Sequence, residues 1–96
     1  MTTETRLYAV DRIEGRGRAA QVTLIDEATG GVVQVEASQL GLPVAEGVML
    51  RVPLRAGAPR WDQAVRDVAE EARLRTEMEA RTRRLRRADP GGDLAL

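Results

Sequence analysis

No cysteine, histidine, lysine or phenylalanine occurs among the 96 residues, and the aromatic content is one tyrosine, Tyr8, and one tryptophan, Trp61. Each absence removes a class of chemistry. Without cysteine there is no disulfide, no thiolate nucleophile and no zinc–sulfur site. Without histidine there is no imidazole general base, so Ser–His–Asp and Cys–His arrangements are excluded. Without lysine there is neither a Schiff base nor a phosphate-loop lysine, and Gly30-Gly31 reads as a turn instead of a nucleotide cradle. Without phenylalanine a core has to rest on Val, Leu, Ile and Ala, the larger of which contribute roughly 1.5–3 kcal/mol each when fully buried. No stretch approaches the ~18 apolar residues of a membrane helix. The start, MTTETRLYAV, carries no apolar run behind a basic one, so a secretory signal is not expected and the cytoplasm is. No metal and no cofactor are expected.

What is present is strongly charged and balanced. Fifteen acids face fifteen basic residues, all arginine, for a formal net charge of zero. A neutral chain does not advertise a polyanionic partner, although local charge still can. The exclusive use of arginine fits a coding bias better than a functional choice.

The first half of the chain has the period of strands. Leu7 to Ile13 is the first, with Val10 and Ile13 three residues apart; a bulge at Asp11 and Arg12 brings both inward. Ala20 to Asp26 sets Val22 and Leu24 on one face, and Gly30-Gly31 supplies the next turn. Val33 and Val35 alternate with Gln34 and Glu36. After the connector ASQLGLPVAEG, the residues Val48, Leu50, Val52 and Leu54 form a period-two set. Pro53 cannot donate to a ladder and belongs on a non-bonding side. A short fifth strand is expected at Arg60-Trp61. From Asp62, a candidate N-cap, the period becomes helical and runs without Gly or Pro to about Arg87. The expected fold class is α+β: a small antiparallel β-barrel of four or five strands over residues 7–61, then one long helix over 62–87. Residues 1–6 and 88–96 are expected to be disordered ends. Val65, Val68 and Ala72 form a stripe that can dock the helix, with Trp61 as its rivet. Beyond it Met78 and Leu85 carry the apolar surface, and that half is expected to project.

The run Val10-Asp11-Arg12-Ile13-Glu14-Gly15 resembles the opening of a family of short bacterial proteins, the domain of unknown function numbered three thousand and six. Asp26-Glu27, Leu42-Pro43, Glu46-Gly47 and the arginine- and glutamate-rich helix follow in the family's order, so the resemblance spans roughly residues 7 to 87. Arg16-Gly17-Arg18 stands where typical members carry an acidic residue and an aromatic. The resemblance carries no catalytic residues. It implies a companion of larger bacterial proteins, competence-type hydrolases among them.

Asp26 and Glu27 read as solvated turn residues, and Asp11 either as half of an ion pair with an arginine at the bulge, the favoured case, or as an exposed residue on the barrel face. Two candidate surfaces remain. Residues 62–80 carry a net charge of −3 and residues 81–87 a net of +5. The pairs Asp62–Arg66, Glu71–Arg75, Glu77–Arg81 and Glu79–Arg83 sit four apart with the acid first, the favourable order, worth about 0.2–0.5 kcal/mol each. A helix that is acidic in one half and basic in the other is complementary to a reversed copy of itself. The expected function is therefore a non-enzymatic interaction or accessory module. It binds a protein partner or a second copy through Met78, Arg81, Leu85 and Arg86. The alternative is weak nucleic-acid binding through Arg16 and Arg18 at the first hairpin tip together with Arg84, Arg86 and Arg87.

Overall fold

The computed structural model describes residues 4–88, with side chains to Leu85. The fold is α+β. Six strands, β1 (Thr5–Glu14), β2 (Gln21–Asp26), β3 (Val32–Glu36), β4 (Met49–Arg55), β5 (Ala58–Pro59) and β6 (Val65–Arg66), precede one helix, α1 (Val68–Ala88). They form an antiparallel sheet in the order β3-β2-β1-β4-β5, with β6 also on β4. The sheet does not close. β3 lies at one end of the strand order and β5 at the other, so the architecture is an open curled sheet where a barrel was expected.

Alternation along the strands sorts side chains between two faces. Tyr8, Val10, Val22, Leu24, Val35, Leu50 and Val52 point to one face and form the core, closed by Leu40, Val48 and Ala64 from the connectors. The bulge falls where the spacing of Val10 and Ile13 requires it. Val10 pairs with Leu24 and Arg12 with Thr23, so Asp11 is the extra residue and both apolar side chains reach the core side. Asp11 itself is exposed and has no ion-pair partner among the described residues, contrary to the expected bulge pair.

Pro53 explains how β4 is shared. Its missing N–H lies on the edge away from β1, since Leu54 N–H next to it donates to Glu4 O at 2.8 Å. That edge is divided accordingly: β6 pairs at Leu50 and Arg51, and β5 pairs at Leu54 and Arg55. The expected strand at Arg60-Trp61 lies two residues earlier, at Ala58–Pro59, and Trp61 opens a 3-10 turn (Trp61–Gln63). There Trp61 packs edge-on against Tyr8, with ring centroids 5.0 Å apart. It rivets this turn to β1, not the helix to the sheet.

The ends differ from expectation as well. Thr5 and Arg6, placed in a disordered segment, belong to β1 and pair with Pro53 and Val52. Residues 1–3 and 89–96 lie outside the described residues, and Ala88 still belongs to α1.

Asp26 is the largest local correction. Instead of a solvated turn residue it is buried, and its carboxylate organises the β2–β3 turn. Oδ1 accepts from Ala28 N–H at 2.8 Å and Thr29 N–H at 3.3 Å, while Arg6 approaches Oδ2 at 3.5 Å. Glu27 is exposed. A buried carboxylate survives because those donors replace water.

The connector is tightest at Gly41, where a Cβ would stand 2.5 Å from the carbonyl oxygen of Asp62. Neither backbone segment can yield cheaply. Gly41→Ala is expected to cost about 1–3 kcal/mol by overpacking, measured as a lowered thermal midpoint, whereas an Ala at Gly31, where a Cβ meets only the movable Thr29 hydroxyl at 3.2 Å, should cost less.

Candidate functional site

Helix α1 starts six residues later than the sequence suggests. Residues 62–67 are taken up by the 3-10 turn and by β6, and the N-cap is Asp67, not Asp62: its Oδ1 accepts from Glu70 N–H at 3.1 Å. The helix is joined to the sheet by a polar clasp at Met49. Asp67 N–H donates to Met49 O at 2.8 Å, and Met49 N–H donates to Glu71 Oε2 at 3.2 Å. A carboxylate thus occupies the place where a further strand residue would continue the edge of β4.

Two arginines hold the clasp. Arg66 grips Glu71 through two bonds of 2.8 Å, and Arg51 reaches Asp67 at 3.1 Å. The Arg66 bond, followed by the Met49 amide, holds the Glu71 carboxyl below the usual glutamate range against the opposing effect of burial. Asp67 is likewise lowered, first by the backbone N–H of Glu70 and then by Arg51. Arg73 lowers Glu70 and is raised in return.

With Glu71 and Leu74 turned to the sheet, the expected docking stripe faces water. Val65 is 58% and Val68 61% exposed, and Ala72 is exposed too. Val65 is a strand residue opposite Arg51, so the three never share a helical face.

Past this clasp the helix leaves an open groove of about 830 Å³ against the outer face of the sheet. Its floor is Ala9, Gly47 and Met49, and its helical wall is Leu74, Met78 and Thr82, with Arg75, Glu79 and Arg83 also lining it. The floor continues across the sheet. Met49 pairs with Ala9, Ala9 with Ile25 and Ile25 with Val32, one apolar row over four strands. Val32 at its end is 65% exposed.

Of the partner-binding residues named from sequence, Met78 lines this groove, and Leu85, 64% exposed like Met78, lies further along α1. Arg81 is exposed on the same helix; the side chains of Arg86 and Arg87 lie outside the described residues. Leu74 was missed, although it stands four residues before Met78. None of the four expected acid-first pairs forms. Arg66 takes Glu71, Arg73 takes both Glu70 and Glu77, and Arg60 takes Asp62. Among the described residues Arg75, Arg81 and Arg84 consequently have no ion-pair partner.

The nucleic-acid candidates among the described residues, Arg16, Arg18 and Arg84, are not assembled into one groove. Arg18 lines a second cleft of about 730 Å³, bounded by Gly15, Gly17, Leu40 and Leu42, which shares no residue with the helix groove. Arg16 and Arg84 line neither. Among the described residues no cluster of acids is arranged to hold a metal ion, and no helix is long and apolar enough to cross a membrane.

Comparison with protein-family models, with curated proteins and with solved structures returned no match to the chain.

The lowered carboxyls make the clasp acid-sensitive. Groups whose native pKa is depressed contribute stability above their unfolded values, about 3.9 for Asp and 4.3 for Glu, and lose it as pH falls through the native values. The amide resonance of Met49 should therefore titrate with a midpoint below that of an ordinary glutamate, and Glu71→Gln should remove the titration. Retention of the same curve in Glu71→Gln would show that another group holds the amide.

Proposed function

We propose that the protein is a non-enzymatic, cytoplasmic interaction module that binds a protein partner through the outer half of α1 and the groove beside it. One observation carries this reading: the helix is secured by hydrogen bonds over its first turns, while Leu74, Met78 and Leu85 continue an apolar line that its own sheet leaves open. A helix in water does not need large apolar residues at exposed positions; aligned with an apolar floor, they suit a binding surface. The mixture of an apolar centre with unpaired arginines matches the anatomy of protein interfaces, in which Arg and Met are enriched. The absence of histidine, cysteine and lysine weighs against catalysis. The resemblance to a family of companion proteins supports an accessory role.

Photo-cross-linking tests the surface. A photoreactive residue replacing Met78 or Leu85, in cells that make the protein, should give a discrete adduct that the same residue at exposed Thr29 does not. Equal labelling from all three positions, or none from the helix, would overturn the reading.

A nucleic-acid reading ranks second, favoured by the unpaired guanidiniums of Arg81 and Arg84 and by Arg16 and Arg18 at the hairpin tip. It expects gel retardation of DNA or RNA that weakens steeply with salt. Replacement of these four arginines by Ala should abolish it; unchanged retardation would remove them as the contact.

A further inference from the structure

We infer that the partner of α1 is a second copy of this chain, packed antiparallel against it. The inference rests on the proposed use of α1 as a binding surface and adds the identity of the occupant.

Leu74, Met78, Arg81 and Leu85 recur at spacings of four, three and four, the seam of a two-helix coiled coil. Leu74 and Met78 belong at once to this seam and to the groove, so a helix laid on the seam also closes the open side of the groove. Orientation follows from Arg81. In a parallel pair each Arg81 meets its own copy, a like-charge contact inside the seam. In an antiparallel pair Leu74 meets the partner's Leu85, and Met78 lies under the aliphatic stem of the partner's Arg81, whose guanidinium reaches water.

Charge points the same way. Beside the seam, Glu77 of one copy comes opposite the partner's Arg84, and by two-fold symmetry the pair forms twice. Arg84 has no ion-pair partner within the monomer among the described residues. Among the described residues Glu77 is held only by Arg73, at 3.0 Å with both side chains more than half exposed, a contact weak enough to be exchanged.

Sedimentation equilibrium of the full chain, from about 1 µM to about 1 mM, spans the affinities expected of so short a seam. The expected result is a reversible monomer–dimer equilibrium that weakens with salt. Leu85→Asp should weaken association at least about tenfold, equivalent to 1.4 kcal/mol, with an unchanged circular dichroism spectrum because Leu85 is exposed. Glu77→Arg and Arg84→Glu should each weaken it, and the two together should restore it. A monomer at every concentration overturns the inference, as does a dimer indifferent to Leu85→Asp and to both charge reversals. Cross-linking separates this failure from that of the broader reading. A monomeric chain that still gives helix-specific adducts to a different protein leaves the interaction module standing without self-association. A monomeric chain with no adduct removes both.

Discussion

The edge of β4 at Met49 governs how this molecule is put together. A sheet edge presents N–H and C=O groups that need partners. Along β4 that need is met in three successive ways: by β5 beyond Pro53, by β6 before it, and at Met49 by the first turn of the helix. Because Asp67 and Glu71 supply the last pair, the helix is oriented by hydrogen-bond geometry and not by burial of an apolar stripe. Its position is specific, yet little of its surface is consumed in securing it.

That division of labour accounts for the exposed apolar line. The core face of the sheet is sealed by its own connectors through Leu40, Val48, Ala64 and the Tyr8–Trp61 pair. The outer face is sealed only at Met49, which is 2% exposed. Beyond it the row running through Ala9 and Ile25 to Val32 is left to whatever docks beside α1. Acidic residues accordingly have two occupations. Those of the first helical turn hold the fold together, whereas Glu77 and Glu79 stand in exposed positions beside unpaired arginines.

The strands were legible in the sequence because a half-buried sheet imposes its period directly on side-chain type. Val22 and Leu24 flank Thr23, Leu50 and Val52 flank Arg51, and all four are fully buried. Even the bulge could be read, since Val10 and Ile13 cannot otherwise share a face. The helix start could not. Asp62 and Asp67 are equally good caps chemically, and the choice between them depends on β6 reaching β4, a contact across some fifteen residues. The ion pairs failed for a related reason: Arg66 and Glu71 are not helical neighbours when one lies in a strand. Asp26 reads as a solvated turn acid until its backbone donors and Arg6 are seen around it. Leu74 was legible in spacing alone, but its role depends on a floor contributed by β1 and β4.

By itself, then, the sequence determined the excluded chemistries, the α+β class and the strand faces, because composition and period act through local geometry. Only the tertiary structure decided that the sheet stays open, that the helix begins at Val68 and that its docking face is acidic. Those outcomes depend on which distant backbone groups remain unpaired once the strands have met, and no local pattern records that.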